Sequence, residues 1–303
     1  MFNNRFGIEI EFTGITRARA AEVAVEVLGG RSSFSGSGYS VTAPDGREWN
    51  LVYDGSVTPL KKVRGRIVSA SDEYKVELVS PILTYNEDIK TLQELVRGFR
   101  KAGAFTKGSV CGCHIHLDGA PHTPKSVRNF INIIASKNDL FYKALQIEPE
   151  RMRFCKKMDS YLVDRMNSRK PKTFDKIASI WYEGYEDRGG RYHRSRYHFL
   201  NLHSFFTRNQ TIELRGFNSG DANGNLHAGK IRSYVVLALA LNNQALTQKS
   251  ASSKKPQVEN EKFAMRVYLN RIGFIGDDFK SCREHLCCHL SGNSAWRYRV
   301  ATG

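Results

Sequence analysis

This sequence predicts an α+β protein, an antiparallel or mixed sheet with helices against one face, on three observations. Strand-like stretches are scattered among helices without the regular alternation of a doubly wound parallel sheet. Three of those stretches carry polar pairs two positions apart, Glu9/Glu11, His114/His116 and Glu213/Arg215, and residues i and i+2 of a strand project from one face. The opposite faces are apolar, with Ile8, Ile10 and Phe12, then Cys113, Ile115 and Leu117, then Ile212 and Leu214. Each stretch reads as half of a sheet whose back packs on a core and whose front carries metal-ligand and phosphate-binding chemistry.

The elements follow in chain order. Residues 5–13 alternate as a strand, and residues 17–28 have helical spacing. The Gly- and Ser-rich residues 29–38 read as a loop. Strands are expected at 40–42, 48–53 and 74–79. The helix at 86–102 has clear end signals: Asn86 as cap, Glu87 and Asp88 in the first turn, Arg97 and Arg100 near the end and Gly103 after it. A strand at 111–118 precedes helices at 124–136, 137–145 and 159–166. Residues 184–196 form a glycine-hinged loop in which Arg188, Arg191, Arg194 and Arg196 lie beside Tyr185, Tyr192 and Tyr197. Such a loop is suited to close over phosphates or a carboxylate. Strands at 197–203 and 211–217 and helices at 225–246, 259–272 and 277–290 complete the set. Residues 247–260 read as a polar linker, dividing a main body at 1–246 from a helical extension at 261–303 that packs on it.

Composition bounds the function. The 303 residues are 41% hydrophobic, enough for a sizeable core. The 46 Lys and Arg exceed the 30 Asp and Glu, and the net charge of +16 favours anionic partners. No apolar run reaches the roughly 18 residues of a membrane span, and the opening residues read as a strand, not a secretory signal. A soluble cytoplasmic protein that engages no membrane is the expectation, its six cysteines reduced.

Two glutamates on one strand face form a hard, oxygen-rich cation site of the sort that binds magnesium with nucleotide phosphates. Glu77, whose strand neighbours Val76 and Leu78 are apolar, adds a third carboxylate, Glu213 a fourth, and His114 a nitrogen ligand that suits manganese. Four facing carboxylates repel, and two or more bound ions resolve that repulsion. Arg215 would place a planar cation beside a transferring phosphoryl group. Singly, each pair is commonplace: Glu-x-Glu is usually a solvated face, and Glu-x-Arg an ion pair on a sheet. Their joint occurrence, each with an apolar reverse face, points to a metal and nucleotide site.

Phe6-Gly7-Ile8-Glu9-Ile10-Glu11-Phe12, Asp54-Gly55-Ser56, Glu77-Leu78-Val79-Ser80-Pro81, Gly112-Cys113-His114-Ile115-His116 and Glu213-Leu214-Arg215 occur in this order. The ordered set resembles the amidoligase family, which looks like a branch of the carboxylate-amine ligases that include glutamine synthetase and glutamate-cysteine ligase. The resemblance covers about residues 5–245. It implies a curved antiparallel sheet whose concave face holds ATP and two or three magnesium or manganese ions, with helices on the other side. By the same resemblance, Glu9, His114 and Glu213 are ligands of an ion bridging the terminal phosphates, and Glu11 and Glu77 of a second ion near the acceptor. His116 and Arg215 contact phosphate, Arg191 and Arg196 are candidates to join them from the loop, and Asp54 holds the incoming amine or a metal-bound water. Glu73 is a weaker candidate for a further carboxylate. The implied reaction joins a carboxylate-bearing and an amine-bearing substrate through an acyl phosphate, in a site that excludes water.

No Gly-x-x-x-x-Gly-Lys-Ser/Thr loop or Gly-x-Gly-x-x-Gly motif is present, so nucleotide binding must rest on the sheet and its metals. The Cys282, His285, Cys287, Cys288, His289 cluster suggests zinc, but three ligands from one short helix cannot complete a tetrahedral site, and a helix packed through its cysteines is expected. The competing class is a metal-dependent nuclease or basic nucleic-acid-binding protein, supported by the basic runs at 61–66, 151–157 and 188–196. The two ideas combine if the basic surface steers an anionic polymer to a ligase site.

Overall fold

A computed structural model describes residues 4–36, 38–147, 149–184, 190, 193–207 and 210–295. In chain order the elements are β1 (Phe6–Phe12), α1 (Arg17–Leu28), β2 (Arg31–Ser35), β3 (Gly38–Thr42), β4 (Glu48–Val52), β5 (Leu60–Val63), β6 (Arg66–Ser69), β7 (Val76–Val79) and α2 (Tyr85–Lys101). They continue with β8 (Gly112–Asp118), α3 (Pro124–Ala144), α4 (Ser160–Arg169), α5 (Phe174–Trp181), β9 (Leu200–Asn201), β10 (Thr211–Asn218), α6 (Ala228–Thr247), α7 (Glu261–Arg271) and α8 (Lys280–Cys287). The class is α+β. Eight strands form one open antiparallel sheet in the order β2-β3-β4-β7-β1-β8-β10-β9, and β5 and β6 form a separate hairpin.

The chain divides into two compact units, Phe2–His116 with Phe217–Val235 and Leu117–Gly216 with Val236–Gly303. In the first, register follows from alternation. Ile10 lies opposite Leu78 and Phe12 opposite Val76 across β1 and β7, and these side chains are buried with Ile8, Cys113 and Ile115. The ring of Phe12 stacks on Phe99 of α2 at 5.0 Å. Thr16 caps α1 by accepting from the Arg19 amide, and Gly29 ends it in left-handed backbone at φ 74°. Burying this back face is what leaves Glu9, Glu11 and Glu77 together on the front.

The second unit is mainly helical. Thr123 and Ser126 form a reciprocal capping box at the start of α3, with Pro124 in the first turn. Phe141 of α3 stacks on Phe199 at 6.0 Å. Polar residues of α3 hold the segment after α6: Asn129 donates to the Gln248 carbonyl at 2.8 Å and accepts from the Ala251 amide at 3.1 Å, and Asn132 donates to the Ala251 carbonyl at 3.0 Å. Residues 248–251, which read as solvated linker, are thus pinned by side-chain amides.

Other differences from the sequence reading have local causes. β2 falls where a loop is expected, because all five of its residues are exposed and no apolar alternation marks it. The basic run 61–66 is the β5–β6 hairpin, turned by Arg64 at φ 49° and Gly65 at φ 79°, the left-handed pair of a tight hairpin. One helix, α3, replaces the two expected at 124–136 and 137–145, and Ser136 at their boundary donates its hydroxyl back to the Ile133 carbonyl within it. α5 is absent from the sequence reading, although Thr173 caps it. In α8, Cys282 and Cys287 are buried and Cys288 is exposed. Among the described residues no helix is long and apolar enough to cross a membrane.

Candidate active site

The front of the first unit's strands gathers six side chains that the sequence singles out. Glu11 sits directly opposite Glu77 across β1 and β7, a like-charged cross-strand pair that repels unless a cation lies between. Val52 of β4 also pairs with Glu77, so Asp54, two residues on, arrives on the same side. Ligand atoms of Glu11, Asp54 and Glu77 all lie within 4.8 Å of one another, and so do those of Glu9, Glu77 and His114. Glu77 belongs to both groups.

Hydrogen bonds fix each member. Glu11, nearly buried at 5% exposure, accepts the Gly112 amide at 2.6 Å, and its other oxygen lies 3.7 Å from His114 Nε2. Glu9 Oε2 is 3.0 Å from His114 Nδ1 and Glu9 Oε1 is 3.2 Å from His116 Nε2. Burial pulls the Glu9 carboxyl up, but the His116 charge and hydrogen bonds from both histidines outweigh it and hold Glu9 well below the usual carboxylate range. Glu9 is thus held in its ionised form. Asp54 Oδ1 accepts the Ser56 amide at 2.6 Å, an Asx turn that orients its carboxylate. Ser80, in the Glu77-to-Pro81 motif, fastens the strand end: its hydroxyl accepts the Ile8 amide at 2.9 Å and donates to the Pro81 carbonyl at 2.7 Å.

The donor chemistry fits hard divalent ions. Three carboxylates suit magnesium, and two carboxylates with an imidazole suit manganese equally well. The arrangement can hold cations on a polar sheet face backed by a packed core.

Glu213 and Arg215 belong to the second unit, on β10. Glu213 is 1% exposed; it accepts from Asn201 Nδ2 at 2.6 Å and from the Arg215 guanidinium. Arg215 also donates its amide to the Phe199 carbonyl at 2.8 Å, and its own carbonyl accepts from Arg151 at 2.8 Å. Glu73 is exposed on the short turn Asp72–Tyr74. Arg191 lies outside the described residues. Arg196 sits in the turn Arg194–Arg196, its guanidinium carbon 5.9 Å from the centre of the Tyr197 ring.

Sequence reasoning missed Asn201 and Arg151. Asn201 also accepts the His203 amide at 2.7 Å, so one side chain orients Glu213 and the next turn of chain. Its signal was the same as elsewhere: Asn201 and His203 are an i, i+2 polar pair in a strand-like stretch. Arg151 gave no signal, because in the sequence it belongs to a basic run and reads as surface, whereas it is 2% exposed.

The α+β chain thus carries, on one sheet face, carboxylate and imidazole side chains close enough to hold a metal ion. Residues 3–242 match the model of the family described as putative amidoligase enzyme, and the chain belongs to that family. At the level that name carries, it is a ligase-type enzyme. No curated protein matches the chain.

Proposed function

We propose that this protein is an ATP-dependent carboxylate-amine ligase that forms an amide bond through an acyl phosphate. The observation that carries the proposal is the pair of three-ligand groups sharing Glu77, in a chain of the amidoligase family. Glu9, His114 and Glu77 would hold one magnesium or manganese ion, and Glu11, Asp54 and Glu77 a second; Glu213 is proposed as a further ligand. Bound there, the ions would supply charge neutralisation for phosphate oxygens.

The chain's own residues would do the remaining work. A substrate carboxylate is a poor electrophile because it is already anionic, so one of its oxygens attacks the γ-phosphorus and ADP departs. Arg215, held in place by Glu213 and the Phe154 carbonyl at 3.4 Å, is proposed to steady the phosphoryl oxygens, with His116 and Arg196 as further phosphate contacts. The amine nitrogen then attacks the acyl carbon, phosphate leaves, and the amine proton passes to a carboxylate, for which Asp54 is the candidate. The partners are then one carboxylate-bearing and one amine-bearing substrate, small molecule, peptide or modified polymer.

Screening pairs of amines and acids with purified protein, with ADP release as the readout, tests this. Turnover that needs both partners and a divalent ion is the expected result, abolished by Glu9→Ala and strongly reduced by Glu213→Gln, which keeps an acceptor for Asn201 and Arg215, with the circular dichroism spectrum unchanged. Full turnover in both variants would show that the chemistry lies elsewhere, and metal-dependent strand cleavage without ATP would replace the ligase by a nuclease.

A further inference from the structure

A second place suited to a ligand lies away from the carboxylate groups. In the second unit, α3, α7 and residues 256–260 line an open cavity of about 530 Å³, within the size range of small-molecule sites. Its walls are amphipathic. Leu140, Phe263 and Val267 are apolar, Tyr268 offers an aromatic face, and Lys137 and Arg271 bring two positive charges.

Lys137 is half-buried and Arg271 is exposed at the rim. Among the described residues the side chain of neither Lys137 nor Arg271 forms an ion pair or a hydrogen bond, whereas nearby Lys143 is paired with Glu261 and Lys157 with Asp139 at 2.6 Å. Lys137 instead lies against an aromatic ring, its Nζ 5.1 Å from the centre of Tyr268. Burial, reinforced by the charge of Arg271, pushes the Lys137 ammonium below its ordinary pKa. Two cations that repel each other at a half-apolar cavity are stabilised by an incoming anion more than either would be alone. The cavity also has an acidic lining residue, Glu259, which is exposed.

We propose that this cavity binds a small organic monoanion, a carboxylate carried on an aromatic or branched apolar body. Lys137 and Arg271 supply the charge, and Phe263, Val267 and Leu140 bury the body. The site is independent of the ligase chemistry, so it stands or falls without it.

Isothermal titration of the full chain with 3-phenylpropionate, and with the uncharged 3-phenylpropanamide as control, decides the matter. The acid binds at one site and at least tenfold more tightly than the amide. Lys137→Gln and Arg271→Gln each weaken the acid at least tenfold with melting temperature unchanged, Glu259→Gln leaves it equal or tighter, and Val267→Asp abolishes it. Equal binding of acid and amide, or acid binding that survives both cation substitutions, overturns the proposal.

Discussion

A buried carboxylate must find partners, and Glu213 shows how specifically it does so. At 1% exposure it is held by Asn201 on one oxygen and Arg215 on the other, and removing either donor leaves a charged acceptor short of a bond in a region shielded from water. Asn201→Ala should therefore lower stability by about 1–3 kcal/mol, measured by urea titration, and should reduce any Arg215-dependent turnover by loosening the pair it orients. A stability unchanged within error would mean that water replaces the amide. The same residue marks the limit of reading chemistry from sequence. Glu9, Glu11, His114 and Glu77 were legible because acids and imidazoles in strand alternation are costly without a cation. Asn201 carries the same i, i+2 signal with His203, but an amide has no charge to be neutralised, so its role shows only once its neighbour Glu213 is seen to be buried.

Elements were legible where burial alternates and illegible where it does not. β1 and β7 hide every second residue, and α1 has the bounds its periodicity predicts. β2 exposes all five residues, and the β5–β6 hairpin is dominated by charge, so both lack the pattern on which the reading depends. The junction after β1 shows how tightly an element can constrain one position. Gly14 has φ +94°, and a Cβ there would lie 2.5 Å from the Gly103 carbonyl oxygen and from Phe105. Gly14→Ala should cost about 1–3 kcal/mol from backbone conformation alone, more with the clash, and should separate Thr13 from Phe105, which bond through both backbone groups at 2.9 Å. Hydrogen exchange at Thr13 and Phe105 reads the effect; unchanged protection would show that the turn relaxes freely. At the start of α7, Glu261 takes hydrogen bonds from Lys143 and Ser291 that outweigh burial and lower its carboxyl below the ordinary 4.5. A carboxyl lowered on folding adds stability at and above its unfolded value and loses it as pH falls through the folded value. Glu261→Gln should therefore cost at most about 1 kcal/mol at pH 7, since the pair is partly exposed, and nothing once the pH has fallen below the lowered folded value. Equal cost at both pH values would mean that charge is not what holds the contact.

Across the whole molecule, the net charge of +16 overstates how much positive surface is free. Arg151, in one basic run, is buried against the Arg215 carbonyl, and Lys157 and Lys255 share Asp139 at 2.6 and 2.7 Å. The opposite imbalance, negative charge crowded at Glu11, Asp54 and Glu77, bears on global stability with a sign that depends on the solution. Without divalent ions these three carboxylates repel, so the folded state is penalised relative to a chain that spreads them apart. An ion that binds the folded state alone, present at a hundred times its Kd, stabilises by about 2.7 kcal/mol. Glu77→Gln removes one repelling charge and one ligand common to both groups. In EDTA it should raise the melting temperature; in excess magnesium or manganese it should fall below the parent, whose own transition moves upward on adding metal. Calorimetric scans of both proteins with and without metal give four temperatures, and only a reversal of their order between the two conditions is compatible with carboxylates assembled to share a cation. A variant that melts lower than the parent in both would mark Glu77 as a structural residue, held by hydrogen bonds and not by charge awaiting neutralisation.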